Sequence, residues 1–236
     1  VDDRAAWAQL LAGAAAEPSS RPERIAALCV KMLGVSGAGI CLATTAGNRG
    51  VVCATDDIAA RIEDLQFTLG EGPCMDAVQT GTPVMVADLR EADDLVVERW
   101  PAFMEGASGA GVRAMFALPL QIGAISVGAL DLYRDRPGDL SADELAAALL
   151  AADAAAVALL HLEAGSSGPF TDDAATHSAY RAEVHQATGM VQVQLDIPAE
   201  EAFLMIRARA FASGRPLADV ATDVVTRRLR FSLEDQ

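Results

Sequence analysis

Leu65-Gln66-Phe67-Thr68-Leu69-Gly70-Glu71-Gly72-Pro73-Cys74, running on to Gly81-Thr82-Pro83-Val84, is the stretch on which the fold turns. Gly70 and Gly72 permit a tight turn, and Pro73 opens a helix whose first turn leaves backbone N–H groups free. Upstream, residues 56–67 are predicted helical, with Ile58, Ile62 and Leu65 on one face. Residues 22–33 form an earlier helix, with Ile25, Leu28, Cys29 and Met32 aligned. It leads into an apolar run at 38–44, a turn signal at 46–50 (Ala46-Gly47-Asn48-Arg49-Gly50) and a second run at 51–54, the pattern of a β-hairpin. Downstream come a strand at 83–87, a helix near 100–106 and a strand pair at 112–121 and 124–134. Strands interleaved with covering helices make this an α+β domain.

The whole chain has 236 residues, 52% hydrophobic and 22% charged, which excludes a disordered polymer and fits one large and one small domain. Gly165 to Asp173, GSSGPFTDD, breaks the helical pattern, so we expect domains at 1–164 and 177–236 joined by a linker at 165–176. The apolar run 145–160 falls short of the roughly 20 residues that span a bilayer. The amino terminus lacks the order of a signal peptide, so a cytoplasmic chain with no membrane partner is expected. Cys29, Cys41, Cys53 and Cys74 stand 12, 12 and 21 residues apart without a C-x-x-C, and no metal or cofactor is expected. All three histidines fall after residue 160, which removes Ser-His chemistry from the larger domain.

The helix expected at 141–164 opens with a capping box, Ser141 to Glu144. Leu145, Leu149, Ala152, Ala156 and Leu159 form one stripe, and Leu150, Val157 and Leu160 a second. A helix apolar nearly all round wants burial on two sides. One side covers the sheet; the other is expected to meet a second copy, making a homodimer. From His177 onward three amphipathic helices follow. The first carries Tyr180, Val184, Ala187 and Val191, the second Ala202, Phe203, Ile206 and Ala210, and the third runs from Leu217 to about Phe231.

Net charge is −15, with −12 in residues 1–170 and −3 in residues 171–236. Within the second part, residues 202–231 carry six arginines against Asp219 and Asp223, a local +4. An acidic body repels polyanions, so a nucleic acid would have to dock on that basic tip.

The stretch quoted first, with Asp88-Leu89, Arg99-Trp100-Pro101, Leu118-Pro119-Leu120 and Gly128-Ala129-Leu130-Asp131-Leu132-Tyr133, resembles a GAF domain of the actinobacterial regulator type. That resemblance implies an antiparallel sheet with flanking helices and a sensing, dimerising role. The tail, with Gln186-Ala187-Thr188-Gly189-Met190, Glu201-Ala202-Phe203, Ile206-Arg207, Ala210 and Asp219-Val220-Ala221, resembles the ANTAR domain of transcription antitermination regulators. It implies an all-α three-helix module that binds hairpin loops of nascent RNA and prevents terminator formation. The chain departs from the family pattern at Thr188, where many members carry a basic residue.

Candidate RNA contacts are Arg207, Arg209 and Arg215 around the second helix, and Arg227 and Arg228, with Arg230, in what we expect to be the last turn of the third. Gln186, Thr188 and Gln192 lie on the expected polar side of the first helix. The small alanines and Phe203 fit close helix packing better than RNA contact. A pocket for an unidentified, mostly apolar small molecule is expected between the sheet and residues 67–111, lined by Phe67, Cys74, Met75, Trp100, Phe103 and Phe116. Cys74, at a helix start, is either a buried thiol or one with lowered pKa that senses oxidant. No enzyme is expected. The alternatives are a thiol enzyme of the free methionine sulfoxide reductase kind, pairing Cys74 with Cys41 or Cys53, and a protein-interaction module. Gly106 to Gly111 contains G-x-x-G-x-G, but it precedes a strand, which rules out a dinucleotide fingerprint.

Overall fold

The computed structural model describes residues 7, 13, 22–44, 47–164 and 172–232, in two compact units, Val1–Pro169 and Phe170–Gln236. The first unit runs α1 (Pro22–Leu33), β1 (Gly37–Thr44), β2 (Gly47–Ala54), α2 (Asp57–Leu69), α3 (Pro73–Thr80) and β3 (Val84–Val86). It continues with α4 (Asp94–Arg99), α5 (Pro101–Gly109), β4 (Ala114–Ile122), β5 (Ile125–Arg134) and α6 (Ala142–Ala164). The strands form one antiparallel sheet in the order β2-β1-β5-β4-β3.

Strand alternation divides the core in two. Ala38 and Ile40 of β1, Phe116, Leu118 and Leu120 of β4, and Leu130 and Leu132 of β5 face α1 and α6. Their neighbours Met115 and Tyr133 face α2 and α5, while Cys41 and Ala129 face α3. On α1 the buried residues are Ile25, Ala26, Cys29 and Leu33; Met32, expected on that face, is exposed. On α2 Ile58 is likewise exposed, and the stripe that turns inward is Ala59, Ile62, Glu63, Gln66 and Phe67. Thr44 pairs with Gly47, so residues 47–50, expected in the hairpin turn, already belong to β2; Ala46 lies outside the described residues.

The capping box of α6 forms as expected: Glu144 Oε2 accepts from the Ser141 N–H, and Ser141 Oγ accepts from the Glu144 N–H. Its alanines carry the burial. Ala148, Ala151, Ala152, Ala155, Ala156 and Ala158 are covered, whereas Leu149, Val157 and Leu160 are 41–43% exposed. Leu149, aligned by spacing with the covered stripe, therefore belongs with Val157 and Leu160 on the open side. Residues Ala142–His161 are also long and apolar enough to cross a membrane by length and composition, longer than the 145–160 run considered above. Their alanine side is built into the core beside α1 and β4, the place of a core helix.

The second unit is α7 (Asp172–Leu195), α8 (Ala199–Ser213) and α9 (Leu217–Val225). Helix α7 opens at Asp172, five residues inside the stretch expected to be linker; 165–171 lie outside the described residues. Its core is Val184, Ala187, Val191, Leu195, Ala202, Ile206, Ala210, Leu217, Val220, Ala221 and Val224, so the alanines do pack helix on helix. Helix α9 stops six residues before the expected end. Thr226 caps it, Arg227 takes a left-handed φ of 63°, and the chain turns back to bury Phe231, whose N–H donates to Gln194 Oε1.

Candidate nucleic-acid interface and the buried acid cluster

In the second unit a notch of about 340 Å³ opens between the carboxy-terminal ends of α8 and α9, lined by Arg209, Arg215, Asp223 and Arg228 together with Ala212, Ser213, Val220 and Leu229. Gly214, left-handed at φ 60°, ends α8 and swings Arg215 toward α9. There Asp223 holds Arg215 at 2.7 Å and Arg228 at 4.0 Å. One carboxylate thus positions two guanidinium groups, and Arg209 supplies a third from the other wall. Three positive charges around one negative leave a net cationic hollow.

Three of the nine expected RNA contacts, Arg209, Arg215 and Arg228, meet here, and six, the exposed Arg230 among them, do not. Arg207 lies over the Phe203 ring, 5.7 Å from its centroid, so Phe203 is half-exposed rather than core. Arg227 and Arg228 sit beyond the helix, not in its last turn, because the chain reverses at Thr226. Gln186 and Gln192 are exposed on α7 away from the notch. Thr188 is not on the polar side: only 9% exposed, it donates its hydroxyl to the Val184 carbonyl. It falls one position from Ala187 and three from Val191, inside the buried stripe. Asp223, which sequence reasoning missed as a positioning residue, gave no signal; its partners Arg215 and Arg228 lie outside its helix, on either side of it.

The structure does not gather the six expected pocket residues in one place. Trp100 and Phe103 pack edge to face at 6.4 Å, Phe67 and Cys74 are buried, Met75 is half-buried, and Phe116 faces α1 and α6 under the Arg134 guanidinium. Phe116 cannot join the others because it sits one residue from Met115, on the opposite side of the sheet. A void of about 10 Å³, enough for roughly one water, lies between α2 and the sheet. Gly39, Glu63, Met115, Asp131 and Tyr133 line it, and none of the six expected pocket residues does.

That void adjoins a buried polar cluster. Gln66 donates from Nε2 to Asp131 and accepts at Oε1 from the Cys74 N–H at 2.8 Å. Gly39 stands opposite Asp131 in the sheet, and a Cβ there would collide with the Glu63 carboxyl, so only glycine leaves Glu63 room. Glu63 Oε1 and Oε2 and Asp131 Oδ1 have no hydrogen-bond partner as positioned, yet the two carboxyls lie close enough to shift each other's titration. Burial, then the Asp131 charge, pushes the Glu63 carboxyl well above the carboxylate range. Burial also raises Asp131, opposed by the hydrogen bond from Gln66 and by the facing Glu63 carboxyl, to about 7. A proton kept on Glu63 and aimed at Asp131 satisfies both groups. Glu71, from the quoted turn, accepts the N–H groups of Ala102 and Phe103 at 2.8 and 2.9 Å and so caps α5 from outside.

Cys74 begins α3 as expected, but it is fully buried, its sulfur 2.8 Å from that of Cys41. The hydrogen bond with Cys41 and burial hold its thiol well above the ordinary range, the opposite of what a helix terminus alone would do.

A family model described as a GAF domain matches residues 23–160, and one described as an ANTAR domain matches residues 172–225. No curated protein matches the chain. Among solved structures, the GAF domain of an Acinetobacter phosphoenolpyruvate-protein phosphotransferase aligns with a TM-score of 0.53 at 10% identity, covering 70% of this chain and 98% of that one. A domain of a two-component sensor histidine kinase protein from Sinorhizobium meliloti gives 0.48 at 19%, over 61% and 92%. A type II free methionine-R-sulfoxide reductase from Thermoplasma acidophilum gives 0.44 at 16%, over 60% and 92%. At these identities the likeness is one of fold alone.

Proposed function

The chain belongs to the GAF domain family and carries an ANTAR domain behind it, and on that premise we propose that it is a cytoplasmic, non-enzymatic transcription antitermination regulator of the actinobacterial GAF-ANTAR type. An ANTAR domain is an RNA-binding antitermination module and a GAF domain a sensory one. In this chain the ANTAR unit grips hairpin loops in transcript leaders and holds the nascent RNA out of its terminator form. The observation that carries the reading is the notch where Arg209, Arg215 and Arg228 converge in an otherwise acidic protein. Bulk attraction is absent, so affinity comes from a few aligned guanidinium groups and from shape fit to unpaired bases.

Two ANTAR units on one homodimer would engage paired hairpins and raise the effective concentration of the second contact. The exposed Leu149, Val157 and Leu160 of α6 support such an assembly. A thiol enzyme is a poorer fit, since Cys41 and Cys74 are both fully buried. Sequencing RNA that copurifies with the full chain tests the proposal: leader segments with paired hairpins are expected, and RNA drawn in proportion to cellular abundance would overturn it.

A further inference from the structure

Cys41 Sγ and Cys74 Sγ stand 2.8 Å apart, closer than two sulfurs resting in van der Waals contact. A disulfide needs them to approach by only about 0.8 Å further. Each comes from a different element, Cys41 from the middle of β1 and Cys74 from the first turn of α3, with Val78 and Ala129 packed around them. The strand register isolates the pair. Cys53 is opposite Ile40, so it points to the α1 and α6 side, where Cys29 also lies. Cys41 is one residue further along and points the other way.

We propose that Cys41 and Cys74 are a dithiol modification site that closes to an intramolecular disulfide under hydroperoxides and reopens under thiol reductants. This names the signal of the proposed sensor domain and in that respect rests on the preceding reading. Either thiol can donate the S–H···S hydrogen bond, so the attacking atom is the Cys41 sulfur or, in the mirror-image step, that of Cys74. When Cys41 attacks, its sulfur takes an oxygen from the hydroperoxide: the O–O bond breaks, the alcohol or water leaves with the proton, and Cys41 becomes a sulfenic acid. The Cys74 sulfur then attacks that of Cys41, the S–O bond breaks, and hydroxide leaves as water with the Cys74 proton. Two electrons pass from the two sulfurs to the peroxide, and a dithiol reductant returns two electrons and two protons. Because both thiols are covered, the oxidant reaches them as the eight-residue α3 lifts from the sheet, and the reaction is slow. The bond would tie α3 to β1 beside Gly70-Glu71-Gly72, the corner from which Glu71 caps α5.

The test uses the full reduced chain, incubated with hydrogen peroxide until thiol loss reaches a plateau. Remaining thiols are alkylated in denaturant, and the digest is read by mass spectrometry. The expected product links the Cys41 and Cys74 peptides, two hydrogens lighter than the reduced pair, with Cys29 and Cys53 alkylated. Dithiothreitol removes it, Cys53→Ser retains it, and Cys41→Ser and Cys74→Ser each lose it. A Cys74–Cys53 link, a link between chains, or overoxidised or fully alkylated Cys74 without a link at the plateau would overturn the proposal; the wild-type result decides even if a variant misfolds. RNA retention, measured on reduced and oxidised protein, separates the two readings. Retention in neither state refutes the regulator while leaving the disulfide standing, and a missing disulfide with RNA still bound refutes only the redox site.

Discussion

Replacing Glu63 by glutamine should change how stability depends on pH. In the folded chain the Asp131 carboxyl titrates at about 7, whereas an unfolded aspartate titrates near 3.9. Between those values the folded state holds the extra proton, so this contribution is fully present below about pH 4 and is lost as pH rises through 7. About three pKa units correspond to about 4 kcal/mol of stability drained between acid and neutral pH. Glu63, raised in the same direction, extends the decline to higher pH. A glutamine there would keep the shape of the protonated acid, lose the titration, and offer an amide N–H to Asp131. At pH 8 the wild-type fold must keep on Glu63 a proton that an unfolded glutamate has released, whereas glutamine needs none. Glu63→Gln should therefore be more stable than wild type there, by on the order of 1.4 kcal/mol for each pH unit above the unfolded carboxylate value. The two should converge near pH 5. Urea denaturation of both proteins from pH 5 to 9 measures this, with the slope against urea checked for constancy. A variant less stable than wild type at pH 8, or two parallel pH profiles, would refute the shared-proton account.

Glu71→Ala should remove the external cap of α5 at a cost of about 1–2 kcal/mol. For a unit of this size the melting temperature would fall by roughly 3–6 °C, and calorimetry showing no change would mean that the two N–H groups find other acceptors. For assembly, light scattering at micromolar concentration should give twice the chain mass. Leu149→Glu with Val157→Glu, both on the open side of α6, should return the monomer without unfolding it; a wild-type monomer would remove the dimer from the account.

Much of the first unit was legible because its local signals agree. The α3 start at Gly72-Pro73, the capping box of α6 and the strand pair β4–β5 emerge within a few residues of where spacing and turn chemistry place them. What escaped was the content of the interior. Helical periodicity searches for apolar residues and so aligned Ile58, whereas α2 turns Glu63 and Gln66 inward, because Gly39 and Asp131 across the sheet give them space and a partner. Phe116 was grouped with Trp100 and Phe103 by composition, though strand parity separates them. In the second unit the alanine core was readable from its spacing. The arginine notch was not, since it depends on the chain after Gly214 placing Arg215 beside Asp223 and on α9 ending at Val225 rather than near Phe231.

The most direct test of the account is the affinity of the full chain for a leader RNA with two adjacent hairpins, measured across salt concentrations for wild type and the Arg209→Ala, Arg215→Ala, Arg228→Ala triple variant. If each arginine meets one phosphate of unpaired RNA, the slope of log affinity against log salt should fall by about 2, and affinity at low salt should drop at least tenfold. Circular dichroism should show the helices intact, since all three side chains line the notch rather than the core. A folded variant that binds the same RNA with unchanged affinity and slope would contradict the placement of the site.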